Sequence, residues 1–353
     1  MDANYPVFAI CGFSGSGKTT VIEELVRILT QRGLKVAVVK HDGHGLNIDH
    51  EGKDTDRFFK AGSDVLIRGP EQSFLRMHRD VELSLEDVIG RIGPYYDLVL
   101  VEGHKGTPIH KKVWFCTDEG EDPPPEASGV CRKLRRDEDR LNIVLSMIDE
   151  WLSEVWLRQP VYVGILVGGK STRMGSPKHL LPINDSTFLE HIVAIAETVA
   201  DCTVILGEQS LPDELASLPV LPDVPGLRGP LAGMLSAVRW APIASWIFIA
   251  CDMPLISKEA LRWLLDMRRP GVWGILPSLE ADDGKVEPLL AYYDHRAGHL
   301  LERCRFPSQM QDYENIIFPR PSADMAKAWS NLNVPEQLSI VTSSKTLKQK
   351  EEQ

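Results

Sequence analysis

Two glycine loops in this chain carry lysines at spacings that suit phosphate chemistry. The first, Gly12-Phe13-Ser14-Gly15-Ser16-Gly17-Lys18-Thr19, satisfies G-x-x-x-x-G-K-[ST] at every fixed position. Glycines there let successive backbone N–H groups turn inward on phosphate oxygens. The N-terminus of a following helix adds the positive end of its dipole. Lys18 would reach the β- and γ-phosphates, and the Thr19 hydroxyl would serve Mg2+. The matching acid should end another apolar strand. In DLVLVEG (97–103) Glu102 stands at the carboxyl end, where open α/β sheets bind ligands, and Asp97 at the wrong end. An ordinary loop carboxylate would read the same way.

The second loop runs from Leu166-Val167-Gly168-Gly169 through Arg173 to Lys178. Gly168 and Gly169 allow close backbone approach to a base or phosphate. Arg173 and Lys178 set two cations over a loop, as attack at the α-phosphorus of a triphosphate requires when charge spreads onto the leaving pyrophosphate. An exposed basic loop explains Lys170 but not a double glycine followed at fixed distance by Arg and Lys. Asp252 ends the apolar run WIFIACD (246–252), a position suited to Mg2+. Asp223 precedes a second glycine turn and fits a turn or N-cap as well as a nucleotide-orienting role. Asn331 and Asn333 could face one pocket, or form a polar turn before a helix at Pro335. His41, His44 and His50 with Asp42 and Asp49 invite a metal reading, but spacing fixes no clear third ligand. Polar loop residues beside a nucleotide pocket explain them equally.

The elements that must position these residues follow from periodicity. Residues 6–11 form a short apolar strand, and Val21, Ile22, Leu25, Val26 and Leu29 fall at helical spacing between Lys18 and Arg32, with Gly33 at the C-cap. Residues 35–41 read as a buried strand. Apolar strands alternating with helices imply an α/β fold on a parallel sheet. Residues 117–130, with three consecutive prolines and five acids, read as a solvated loop, followed by the basic run Arg132, Lys133, Arg135 and Arg136. An amphipathic helix is expected over 138–157, ended by Pro160. Strand, glycine loop and helix then recur from 161–167, with later strands at 202–207, 246–252 and 272–277 and helices near 187–200, 230–240, 257–268 and 323–330. The expected domains are 1–158 and 159–353, with a frayed polar tail from about 343.

Composition bounds the function classes. A length of 353 residues suits about two domains, and 43% hydrophobic with 25% charged residues argues against disorder of the whole chain. A net charge of -11 argues against a broad nucleic-acid surface. No uninterrupted apolar run is long enough for a membrane span, and no signal peptide is visible. Six scattered cysteines without a C-x-x-C pair read as reduced, cytoplasmic thiols.

GFSGSGKTT, VVKHDGH, GKDTDRFFKAGSD (52–64) and LVLVEGHK (98–105) together resemble the GTP-binding accessory protein of molybdopterin-guanine dinucleotide synthesis, over roughly residues 5–157. The resemblance implies a P-loop NTPase-like fold and weak GTP hydrolysis. It places GTP on Gly12, Gly15, Ser16, Gly17, Lys18, Thr19, Thr20 and Glu102, with Thr19 and Glu102 toward the metal. It also implies a homodimer through this domain, and Asp54 and Arg57 fall in a recurring family segment. The acidic proline insert departs from the compact family pattern.

LVGGKSTRMGSPK, the Asp223…GPLAG segment, ACDMP and NLNVPE occur in family order across 161–340 and resemble the molybdenum cofactor guanylyltransferases. A Rossmann-like nucleotidyltransferase fold is implied. GTP would lie on Leu166, Val167, Gly168, Gly169, Lys178, Asp223 and Asp252, Mg2+ on Asp252, and the pterin on Asn331 and Asn333. Val167 replaces the usual small alanine, and the asparagine often found after the 202–207 strand is missing. Ser176-Pro177-Lys178 also occurs in the related cytidylyltransferases, whereas Gly168-Gly169 and GPLAG favour guanylyl transfer. The expectation is a fusion that converts GTP and molybdenum-molybdopterin to the guanine dinucleotide and pyrophosphate. Molybdoenzymes and molybdenum-insertion proteins are the expected partners, with no nucleic acid or membrane. The rivals are cytidylyl transfer, and a GTP-binding docking module without transferase activity.

Overall fold

A computed structural model of the chain describes residues 5–41, 49–78, 83–118, 121–168, 177–183, 185–279 and 285–331. The chain forms two compact units, Met1–Leu29 with Val36–Leu145, and Thr30–Lys35 with Ser146–Gln353.

The first unit contains β1 (Val7–Gly12), α1 (Lys18–Gln31), β2 (Val36–Lys40), α2 (Asp54–Lys60), β3 (Val65–Arg68), β4 (Ser73–Arg76), α3 (Leu85–Ile92), β5 (Leu98–Glu102), β6 (Lys111–Phe115) and β7 (Val130–Leu134), and the start of α4 (Arg140–Arg158). Five strands pair in parallel in the order β2-β5-β1-β6-β7. β1 sits at the centre, and all six of its residues are buried. That is why its sequence is a continuous apolar run rather than an alternating one. β2 was expected to be buried but is an edge strand, paired only with β5, and Val38 is 46% exposed. α3 starts with a capping box, in which Ser84 Oγ accepts from Asp87 N–H at 3.1 Å and the Asp87 carboxylate accepts from Ser84 N–H at 3.0 Å. β3 and β4 form a separate antiparallel hairpin that periodicity did not indicate.

The acidic insert is better anchored than a solvated loop. The Glu121 carboxylate accepts from Trp114 Nε1–H at 2.9 Å and from Thr117 N–H at 2.7 Å. Ser128 N–H donates to Lys105 O at 3.1 Å, and the chain then enters edge strand β7, which carries Arg132 and Lys133.

The second unit contains β8 (Val161–Leu166), β9 (Pro182–Ile183), β10 (Ser186–Thr187), α5 (Phe188–Ala196), β11 (Cys202–Leu206), β12 (Val220–Leu221), α6 (Pro230–Trp240), β13 (Ser245–Ala250), α7 (Lys258–Asp266), β14 (Gly274–Ile275), β15 (Ala291–Tyr293), α8 (Gly298–Leu301) and β16 (Ile316–Ile317). Its seven-stranded sheet has the order β12-β11-β8-β13-β15-β14-β16. β15 runs antiparallel to β13 and β14, so this sheet is mixed where a parallel one was expected. Leu189 and Ile192 of α5 pack with Leu261 and Leu264 of α7 on Ile165 and Ile247. Leu235 and Val238 of α6 pack with Leu301 of α8 on Val204 and Phe248. Full burial of each such side chain stabilises by about 1.5–3 kcal/mol. The sheet is therefore a fixed base for loops at its strand ends. Among the described residues, no helix is long and apolar enough to cross a membrane.

Candidate functional site

In the first unit, β1 delivers the chain into the glycine loop and α1 leaves it. Gly12 lies so close to β6 that a Cβ there would stand 2.5 Å from Phe115 O and 2.7 Å from Ser16 Oγ. Gly15 and Gly17 hold φ values of 75° and 85°, in the left-handed region that favours glycine. Lys18 folds back over the loop and donates to Gly12 O at 3.1 Å and Phe13 O at 2.8 Å. Burial lowers its pKa, opposed by the nearby Glu102 charge. Ser16 is buried and Thr20 is exposed on the first turn of α1. Thr19 Oγ1–H donates to Glu102 Oε1 at 3.2 Å, and Lys40 Nζ lies 3.7 Å from the same oxygen. A hydroxyl and a carboxylate thus converge at the end of β5, a hard-oxygen pair of the kind Mg2+ takes.

Two cations outside the motif brace this site. Arg140 is buried at the start of α4 and donates to Ser16 O at 2.6 Å, Arg135 O at 2.8 Å and Leu134 O at 3.1 Å, and also to Cys116 O. Lys112 is fully buried in β6 and donates to His104 O at 3.1 Å, Lys105 O at 2.9 Å and Thr107 O, which fixes the loop after Glu102. The sequence signal for Lys112 is a lysine inside an apolar strand, whereas Arg140 has no local signal. The His41 and His104 rings stand edge to face at 5.2 Å. They line a cleft of about 690 Å³ with Lys40, Ser84 and Thr107. Asp49 turns instead to Arg76 at 2.9 Å and Thr55 at 2.8 Å. Asp54 and Arg57 are exposed on α2. His44 and Asp42 lie outside the described residues, among which no group of three or more His, Cys, Asp or Glu could hold a metal ion.

In the second unit, a cleft of about 430 Å³ opens at the carboxyl ends of β8, β11 and β13 and brings together Leu166, Gly168, Lys178, Asp223, Asp252 and Asn331. Lys178 Nζ donates to Asp252 Oδ2 at 2.9 Å. α6 begins at the cleft with Gly229 at φ 78° as N-cap and Pro230 in its first turn, so its unpaired N–H groups add partial positive charge there. A Cβ on Gly233 would stand 2.7 Å from Leu166 Cδ2 and 3.4 Å from Asp223 Oδ1, so this glycine lets α6 approach the site closely. Burial raises the Asp223 pKa, and Glu208 adds to the effect. Burial pushes the Cys251 thiol up to about 12, with the Asp252 charge acting the same way, so it serves as wall rather than nucleophile. The Val167 side chain points into the core, and its N–H donates to Leu206 O at 2.9 Å. Gly169, Arg173 and Asn333 lie outside the described residues. Leu206, at the end of β11, and Leu289, in the bend before β15, also line the cleft, unforeseen from sequence because such apolar residues look like core.

Residues 7–128 match the family model described as molybdopterin guanine dinucleotide synthesis protein B, and residues 163–314 match the MobA-like NTP transferase domain. The chain is 33% identical over 165 residues to the molybdopterin-guanine dinucleotide biosynthesis adapter protein of Haemophilus influenzae, covering 43% of this chain and 92% of that one. It is 32% identical over 137 residues to a probable molybdenum cofactor guanylyltransferase of Bacillus mycoides, covering 37% of this chain and 67% of that one. A probable molybdenum cofactor guanylyltransferase of Bacillus anthracis is 28% identical over 200 residues, covering 54% of this chain and 98% of its own length.

Proposed function

This chain belongs to two families in succession, the molybdopterin-guanine dinucleotide biosynthesis adapter proteins and then the molybdenum cofactor guanylyltransferases, and from that premise we propose that it transfers GMP from GTP to molybdenum-molybdopterin. The observation that carries the reading is the cleft that gathers Gly168, Lys178, Asp223 and Asp252 at the strand ends. The terminal phosphate of the pterin is already ionised, so the reaction needs no strong general base. One of its oxygens bonds to the α-phosphorus of GTP, the α–β bridging bond breaks, and pyrophosphate leaves with the electron pair.

Positioning and charge neutralisation then supply the catalysis. Lys178 moves from Asp252 onto the triphosphate, and Arg173 shares that charge. Gly168 and Gly169 admit the nucleotide close to the backbone, and Asp223 orients it. Asn331 and Asn333 hold the pterin. The oxygen donors of Asp252 fit Mg2+, which when bound neutralises charge developing on the triphosphate.

The first unit binds a second GTP on its glycine loop and hydrolyses it weakly, with Thr19 and Glu102 toward Mg2+. It forms a homodimer, and molybdoenzymes and molybdenum-insertion proteins are its partners in the cytoplasm. The test is pyrophosphate release by the full chain with molybdopterin and GTP or CTP. Asp252→Ala should abolish release while leaving GTP binding at Lys18 intact. Undiminished release by that variant overturns the assignment, and a preference for CTP replaces guanylyl with cytidylyl transfer.

A further inference from the structure

Leu290 is the one non-glycine residue of the second unit with a positive φ, 53°, among the described residues. A bulky side chain avoids that region, and such backbone persists only where its surroundings over-determine it. Two hydrogen bonds do so here. Leu290 N–H donates to Phe248 O at 2.6 Å, and Trp329 Nε1–H donates to Leu290 O at 2.9 Å. Phe248 lies in β13, on the strand that leads to Asp252. Trp329 is buried and packs edge to face on Trp263, with ring centroids 5.8 Å apart. The residue before the kink, Leu289, and the residue two beyond the tryptophan, Asn331, both line the cleft. One indole N–H therefore ties together two chain segments, distant in sequence, that form neighbouring parts of one wall. Packing alone would be satisfied by any large aromatic ring. The N–H is the part that only the kink uses.

We propose that Trp329 is a positioning residue for the acceptor of guanylyl transfer, setting Leu289 and Asn331 at the spacing that receives a phosphorylated, planar acceptor. Trp329 acts through those two residues. The inference rests on the transferase reading and on Asn331 facing the acceptor.

Initial rates of pyrophosphate release by the full chain, measured against GTP and against molybdopterin, test it. Trp329→Phe keeps a buried ring and removes the donor. It should raise the KM for molybdopterin about fivefold, the scale of one lost hydrogen bond, with kcat and the KM for GTP within about twofold of wild type. Asn331→Ala should raise the same KM, and the double variant should add little to it, because coupled residues are not additive. The unchanged KM for GTP shows that the site is folded. If Trp329→Phe proves insoluble, Leu289→Ala probes the same wall and should raise only the acceptor KM.

An unchanged acceptor KM in Trp329→Phe with an effect in Asn331→Ala overturns the positioning role alone, even if thermal stability falls. A parallel rise in both KM values also overturns it. No effect in Asn331→Ala overturns the acceptor-side reading as well, and no pyrophosphate from the wild type overturns the transferase reading beneath both.

Discussion

The glycine loop of the first unit leans on a residue its motif does not contain. Arg140 sends a buried guanidinium to four carbonyl oxygens, one of them Ser16 O, 124 residues away in sequence. Removing it takes a charged donor from all four, of which Leu134 O keeps Cys116 N–H and Arg135 O keeps Glu138 N–H. Arg140→Ala should cost about 3 kcal/mol in urea unfolding, on the scale of hydrogen bonds to a charged group left unmade. It should also weaken nucleotide binding at Lys18, as read by a fluorescent GTP analogue. Arg140→Lys should recover little, because an ammonium does not reproduce the planar fork. Wild-type affinity in Arg140→Ala would dismiss the bracing role. The placement of Lys18, Thr19, Lys178 and Asp252 was legible in the sequence because they lie in short local motifs beside strand ends. Arg140 was not, because only the folded chain brings it back to the loop.

At the scale of elements, the β3–β4 hairpin stands out. Its paired Leu66 and Leu75 are 60% and 54% exposed. A two-stranded ribbon is marginal alone, and an exposed apolar face on one is a liability unless covered. With dimerisation expected for this unit, the face is suited to a second copy. Leu66→Asp combined with Leu75→Asp should halve the mass seen by analytical ultracentrifugation while sparing GTP binding. A wild-type protein that sediments as a monomer at micromolar concentration would rule the dimer out.

The same scale shows where periodicity works. α1, α4, β1, β5, β8 and β13 were readable because each is a long apolar run or helical stripe buried on its full length or one face. β15 is three residues long, and nothing in Ala-Tyr-Tyr encodes its antiparallel direction. β2 looked buried because Val-Ala-Val-Val is apolar, but a strand's place at a sheet edge depends on its neighbours rather than its own composition.

At the scale of the whole molecule, pH should act through a histidine far from either glycine loop in sequence. His299 lies in α8 with its ring 5.4 Å from that of Trp273. Burial pushes its pKa down to about 4, and the Arg303 charge acts in the same direction. In the unfolded chain a histidine takes up its proton near pH 6.5. Between these values the unfolded state binds more protons, so stability falls as pH drops from about 6.5 toward 4 and levels off below. Urea unfolding of the full chain followed by tryptophan fluorescence should show this slope, and His299→Gln should flatten it. An identical slope in that variant would remove His299 from the account. The chain's charge of -11 belongs to its surface as a whole, while Lys18 and Lys178, the latter held against Asp252, place cations where phosphate is expected.

The pairing of Lys178 with Asp252 has a further consequence for how the transferase cleft fills. Before any substrate arrives, the ammonium and carboxylate already cancel each other at 2.9 Å. A nucleotide arriving without a metal would gain the lysine but expose its phosphates to a bare carboxylate. A metal arriving without a nucleotide would gain the carboxylate but meet a displaced ammonium. Only the two together satisfy both partners, so under the proposed reaction the cleft would act as a coincidence detector for the metal–nucleotide complex. Lys18, resting on neutral carbonyls, imposes no such condition on the first unit.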